Sequence, residues 1–285
     1  MILKFGDRND EVKKLQSFLK LRIDGIFGKD TENAVKSWQT AKGLISDGIV
    51  GPKTIKAMGL DTFVVTNTMH INEHFMPVNQ YMDSKTDKHW LVLHHTAGWH
   101  SPIGTINGWA KDDRGMVGTE FVLGGQSIRG NENIYDGYLA QAFPTGCYGW
   151  HLGIGNSELH RNSVGIEICN FGQVVDGVTW AGQPVVSTQV VDIKKQFRGF
   201  RYWHRYSDAQ LRVLKELIYF IANRDNIDVR KGLPELVKDK GASAFDMCSV
   251  PMVTKTKGLW THTNVIKTKV DCFPQQELLD LLISL

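Results

Sequence analysis

Apolar residues in the first sixty positions fall at helical spacing in two runs. Val12, Leu15, Phe18 and Leu19 repeat behind Asp10, and Ala34, Val35 and Trp38 repeat behind Thr31, whose hydroxyl can cap a helix start. The stretch Asp24-Gly-Ile-Phe-Gly-Lys-Asp-Thr31 is echoed 23 residues later by Asp47-Gly-Ile-Val-Gly-Pro-Lys-Thr54. Glycine tolerates positive φ and aspartate bonds its own following backbone, so each copy reads as a turn leading into a helix. Pro52 lies near the start of a short third helix running towards Met58, where a missing N–H costs little. The pattern predicts a small three-helix, all-α domain over residues 1–60.

Residues 61–88 are polar, contain Pro77 and hold no sustained period, which predicts a linker. A second domain is expected over 89–285. Strand formers dominate Trp90–Gly98, Thr119–Leu123 and Ser163–Cys169. Ser207 and Gln210 form a capping box ahead of the stripe Leu211, Leu214, Leu217, Ile218 and Ile221, which predicts a helix to about Arg224. A last helix is expected over Gln275–Ile283. Strands mixed with helices predict an α/β domain. Residues 174–206 read as an insertion with partial order, in which Phe197, Phe200, Tyr202 and Trp203 either cover a cleft or join a core.

Composition narrows the function classes. Among 285 residues, 33 Lys and Arg face 30 Asp and Glu, a net +3 too balanced for a nucleic-acid-binding protein. Apolar residues at 42% and charged residues at 22% exclude bulk disorder. Cys147, Cys169, Cys248 and Cys272 form no CxxC pair and read as reduced thiols of a cytosolic chain. The longest uncharged stretch, Gly137–Ser157, holds Pro144, His151 and several glycines, so no membrane insertion is expected. The first residues meet charge and glycine before any apolar core forms, so no secretory signal is expected.

Three features of the second domain carry candidate chemistry. His94 and His95 end a predicted strand, and adjacent strand residues point to opposite faces, so at most one can face a given site. Glu167 stands between Ile166 and Ile168 within an apolar strand. Trp260–Pro274 packs His262, Lys269, Asp271 and Cys272 into eleven residues. A catalytic zinc site needs three protein ligands and one open position, and His, Asp and Cys all qualify as ligands. Taken singly, each feature has a blander reading. A strand-end histidine is more often simply hydrogen-bonded, an isolated glutamate solvent-facing, a Lys-x-Asp surface charge, and the Trp38–Phe18 stripe bundle core.

The motifs in order resemble the zinc-dependent N-acetylmuramoyl-L-alanine amidases, over about Trp90 to Pro274. Leu93-His94-His95-Thr96-Ala97 resembles that family's first ligand strand, and Val117–Leu123 its next strand. Tyr148-Gly-Trp150-His151-Leu-Gly153 resembles the segment lining the substrate cleft, and Asn162–Ile168 the strand carrying Glu167. His262 and Lys269-Val-Asp271 resemble the terminal ligand segment. Residues 1–60 resemble the three-helix peptidoglycan-binding domain, matching it at Val12, Leu15, Gln16, Asp24, Gly25, Phe27, Gly28, Thr31, Gln39, Asp47, Gly48 and Thr54, with Trp38 in place of a phenylalanine.

The resemblance implies a central mixed β-sheet flanked by helices. It also implies one zinc ion held by His94, His262 and Asp271, with Cys272 the alternative third ligand. Glu167 is implied as the general base and Lys269 as the partner of the developing oxyanion. His95, Thr96, Thr119, Trp150, His151 and Asn170 are the implied substrate contacts; Asp24, Phe27, Trp38 and Asp47 are those of the N-terminal domain. The implied reaction is hydrolysis of the amide between N-acetylmuramic acid and L-alanine in bacterial peptidoglycan. The implied setting is a monomeric phage endolysin made in the host cytoplasm, which reaches the wall through a separate holin-type pore. A non-catalytic peptidoglycan receptor and a zinc hydrolase of another wall bond are the competing readings.

Overall fold

Helix α1 (Asp10–Phe18) starts where the Asn9 side chain accepts the Val12 N–H at 2.9 Å. Helix α2 (Lys29–Ala41) and the short α3 (Pro52–Ala57) complete the first unit. The computed structural model describes residues 3–59, 69–155 and 157–285, and separates into two units, Met1–Met69 and His70–Leu285. Leu3, Val12, Leu15, Phe27, Val35, Val50 and Met58 form the core of the first unit.

The 23-residue repeat extends beyond the two turns. Gln16 Nε2 donates to Asp24 Oδ1 at 2.8 Å, to Ile26 O at 3.0 Å and to Thr31 Oγ1 at 3.2 Å. Gln39 Nε2 repeats this with Asp47 Oδ1 at 2.8 Å, Ile49 O at 2.8 Å and Thr54 Oγ1 at 3.2 Å. Their Oε1 atoms accept the Gly25 and Gly48 N–H groups, each at 2.9 Å. Each glutamine thus locks one loop to the helix before it, and both are buried.

These locks correct several expectations. Gly28, which has no side chain to cap with, stands at the start of α2, and Thr31 lies inside the helix with its hydroxyl engaged by Gln16. Asp24 and Asp47 each accept a backbone N–H two residues on through Oδ1 and remain exposed, whereas Phe27 is wholly buried and does not face a ligand as expected. Trp38 is half-buried, its ring edge-on to Phe18 at 6.0 Å. Gln39→Leu should destabilise the first unit by about 2–3 kcal/mol, since it leaves several buried partners unpaired. Hydrogen exchange of the α1 and α2 amides in the full chain would read this, the second unit staying protected.

The second unit is built on β1 (Ile71–Glu73), β2 (Trp90–His95), β3 (Phe121–Leu123), β4 (Leu139–Gln141), β5 (Ser163–Ile168), β6 (Gln173–Val175), β7 (Val178–Thr179), β8 (Val190–Phe197), β9 (Phe200–His204) and β10 (Gly258–Thr261). Six strands form one mixed sheet in the order β1-β4-β3-β5-β2-β10, with β2 parallel to both β5 and β10. Every residue of β2 is buried, as in a parallel strand covered on both faces. The helices are α4 (Pro102–Trp109), α5 (Glu158–Arg161), α6 (Asp208–Asp225), α7 (Leu233–Lys240), α8 (Val250–Lys255), α9 (His262–Val265) and α10 (Gln276–Ile283). The Ser207–Gln210 capping box opens α6, whose apolar stripe is buried as the spacing predicts.

Two expectations change here. The linker expected over 61–88 does not extend past residue 69, and residues 61–68 lie outside the described residues. Strand β1 pairs with β4, while Met76 and Tyr81 enter the core beside Phe143. Three residues are too few to show a strand period. Residues 174–206 are not a partly ordered excursion: β6 to β9 form a four-stranded antiparallel sheet in the order β7-β6-β9-β8. A bulge between Asp192 and Phe197, with Lys194 at φ 65°, breaks the alternation that would have marked β8. Phe197 and Trp203 are core, Phe200 is half-buried and Tyr202 is exposed.

Candidate metal centre

Strand β5 divides its side chains by period two. Val164, Ile166 and Ile168 enter the core on one face, and Ser163, Gly165 and Glu167 look out on the other. On neighbouring β2, His94 stands beside Glu167 and Val92 beside Gly165. Strand β10, on the other side of β2, delivers His262 immediately after its last residue.

His94, His262 and Asp271 converge. His94 Nδ1 lies 3.0 Å from His262 Nδ1, and Asp271 Oδ2 lies 3.0 Å from His262 Nδ1 and 3.3 Å from His94 Nδ1. All three residues are buried. Tetrahedral zinc with bonds of 2.0–2.1 Å separates its ligand atoms by about 3.3 Å. The cluster therefore has the donor types and the spacing of one face of a zinc tetrahedron. Burial raises the Asp271 carboxyl, but the hydrogen bond from His262 and the closeness of the two imidazoles overcome this and hold it far below the usual carboxylate range. Burial and then neighbouring His262 lower His94 to about 4, so its ring is neutral at physiological pH, the form that ligates.

The tautomer of His94 follows from its other side. Ser163 Oγ donates to His160 O at 3.2 Å, so it accepts from His151 Nε2 at 2.9 Å. His151 Nδ1 then carries a lone pair and accepts from His94 Nε2 at 2.9 Å. The proton on Nε2 leaves the Nδ1 lone pair of His94 facing His262 and Asp271. His151 thereby orients a ligand. Gly165 makes room for it: a Cβ there would lie 2.6 Å from the Thr119 methyl and 3.1 Å from His151 Nδ1. Gly165→Ala should weaken retention of an ion by His94 roughly 10-fold, which competition with a chelator would measure.

Glu167 is half-buried, and burial followed by the Asp271 charge pushes its carboxyl well above the ordinary range, with Lys269 opposing. Lys269 is exposed, yet near enough to act on both Glu167 and His94. Cys272 takes no part in the cluster. It is wholly buried and shares a hydrogen bond with Tyr206.

Several expected substrate contacts lie elsewhere. His95 faces away from His94; its Nδ1 lies 2.9 Å from Tyr206 Oη, and its ring packs on Trp203 and Phe273. Asn170 is fully buried, donating to His204 O at 2.8 Å and accepting from the Gly172 N–H at 2.8 Å. Thr119 is buried and donates to Phe121 O at 2.9 Å. These three build the frame, not the opening. Thr96 ties the loops after β2 and β5 together, its hydroxyl donating to Asn170 O at 3.1 Å and accepting the Asn170 N–H at 3.1 Å. Trp150 is half-buried, its ring against His160 at 4.6 Å. Ser163 and Gly165 had not been singled out; their signal was the period-two spacing to Glu167. Glu120, also not singled out, is a buried partner of Arg224 at 2.6 Å and serves packing.

A family profile described as "N-acetylmuramoyl-L-alanine amidase" matches residues 84–270, about two thirds of the sequence. The chain belongs to the N-acetylmuramoyl-L-alanine amidase family. The match takes in His94, Glu167, His262 and Lys269 and stops one residue before Asp271. A peptidoglycan-binding-domain profile matches residues 8–58, which cover both glutamine locks. A "Probable N-acetylmuramoyl-L-alanine amidase" of Bacillus licheniformis is 42% identical over 66 residues, 20% of this chain and 19% of that protein. A Kitasatospora aureofaciens protein is 42% identical over 60 residues, 19% of this chain and 51% of its own. The chain thus spans about a fifth and about half of these relatives. Among solved structures, a Burkholderia AP3 phage endolysin is 41% identical over 20% of this chain and 24% of its own, with a TM-score of 0.20. PlyL is 12% identical over 71% of this amidase-family chain and 86% of its own, with a TM-score of 0.41. Among the described residues, no helix is long and apolar enough to cross a membrane.

Proposed function

We propose that this member of the family is a zinc-dependent peptidoglycan amidase of the phage endolysin type. Its first unit holds the wall; its second cuts the amide between the lactyl group of N-acetylmuramic acid and L-alanine. The observation that carries the reading is the triangle of His94 Nδ1, His262 Nδ1 and Asp271 Oδ2 beside Glu167. These three residues would hold the ion, and the burial of Cys272 against Tyr206 favours Asp271 as third ligand. Zinc bound there supplies a Lewis acid that polarises the scissile carbonyl and acidifies the attacking water. Glu167 takes the proton from that water and passes it to the departing amine of L-alanine. The Lys269 ammonium faces the negative charge growing on the carbonyl oxygen, an attraction that strengthens towards the transition state. His151 and Ser163 keep the lone pair of His94 on the ion. Attachment through the first unit raises the local substrate concentration. As an endolysin the chain would be made in the host cytoplasm, act as a monomer and need a holin-type pore to reach the wall.

Digesting purified peptidoglycan with and without a chelator tests this. Fresh L-alanine amino termini should appear, vanish on chelation and return with added zinc. New reducing sugar ends, or cleavage indifferent to chelation, would overturn the reading. Binding without any release would identify a receptor instead.

A further inference from the structure

The four-stranded sheet of β6 to β9 reaches the segment that joins His262 to Asp271. Its β8–β9 hairpin turns at Arg198 and Gly199, both at positive φ, 52° and 88°. Such two-residue turns favour Asn-Gly, and a long side chain at the first position carries backbone strain. Arg198 stands there with its side chain only 13% exposed. Its Nη1 donates to Lys267 O, and its Nη2 to Thr263 O at 3.3 Å and to Phe245 O at 3.5 Å. Its Nε lies 3.3 Å from Asp246 Oδ1. Thr263 and Lys267 both belong to the chain between the two ligands, within and just past the one-turn helix α9. Carbonyls at the end of a helix lack intrahelical partners, and a guanidinium can serve several at once.

The same small sheet grips the chain beyond Asp271. Phe273 lies between Trp203 of β9, stacked at 4.6 Å and 12°, and Tyr206, stacked at 4.6 Å and 18°. Residues 262–271 are therefore held at both ends by residues 198–206.

We infer that Arg198 is a positioning residue for the metal centre, fixing the segment that carries His262 and Asp271 at the distance one ion requires. The inference rests on the zinc reading of that centre. It gives the inserted sheet a role in the reaction although it contributes no ligand.

Arg198→Asn tests it, because Asn-Gly is the sequence this turn prefers and the hairpin keeps its shape while the clamp is lost. Zinc affinity of the full chain is measured by competition with a chromophoric chelator, and cobalt is substituted to read ligand geometry from its visible spectrum. Affinity should fall roughly 10- to 100-fold, the range seen when a ligand's supporting partner is removed, and the cobalt spectrum should change. Arg198→Lys, which keeps the charge without the fork, should recover only part of the affinity. Zinc affinity of Arg198→Asn within twofold of the parent, with an unchanged cobalt spectrum, overturns the inference. Failure of the parent chain itself to bind zinc overturns the underlying reading instead.

Discussion

Glu167→Gln is expected to keep its zinc and lose about 10²- to 10⁴-fold in kcat, the usual contribution of a general base. Gln fills the same volume, so β5 and its neighbour His94 keep their register. It has no lone-pair charge to take a proton from water and none to return to the leaving amine. Asp271→Asn should behave differently. It removes the only anion among the three converging atoms, so zinc and activity should be lost together. Zinc content after dialysis, read beside single-turnover rates, separates the two outcomes. A Glu167→Gln protein that retained its metal and more than about a tenth of its rate would be inconsistent with a proton-transfer role for this residue.

Acid should unfold the metal-free second unit within a narrow range. Burial lowers His94, His95 and His160 to about 4 and His204 to about 3, and holds His151 well below its ordinary 6.5. At pH 7 these imidazoles are neutral whether the chain is folded or not, so they cost nothing. Below about 6.5 the unfolded chain takes up protons that the folded chain refuses, and stability falls with pH until the folded values near 4 are reached. Glu120 and Glu167, whose carboxyls are raised, act in the opposite sense above about 4.5. The imidazoles outnumber the carboxyls, so the net dependence follows them and stability falls as the pH drops from about 6 towards 4.5. Urea midpoints of the chelated protein at pH 7, 6 and 5 measure this. His204→Gln should flatten the slope; a stability independent of pH across that window would rule the account out.

Features that depend on neighbouring residues were readable in the sequence. The Ser207–Gln210 box and the α6 stripe lie within a single helix, and the 23-residue echo shows as two matching eight-residue strings. Features settled across long separations were not. His95 and Asn170 stand beside site residues in sequence, yet strand alternation and a buried loop turn them inwards. The His94–His151–Ser163 chain joins residues 57 and 12 positions apart and has no local pattern. Strand β1 was too short to show a period, and the bulge at Lys194 erased the period of β8. The Lys-x-Asp spacing favours Asp271 with Cys272 as the alternative; a hydrogen bond between Cys272 and Tyr206, 66 positions upstream in the sequence, supports that order.

The order of strands in the main sheet has a consequence for timing. His94 lies beside Glu167 in the sheet, whereas His262 and Asp271, which with it would hold the ion, follow it by 168 and 177 residues in the chain. On the proposed zinc reading, a protein under synthesis therefore carries Glu167 and His94 before it has the residues to retain an ion. Until β10 is made, β2 is the open edge of the sheet, with unpaired backbone groups. The last strand in the chain covers that edge and carries His262 just after it, so on the proposed reading wall-cutting activity would require the complete sheet.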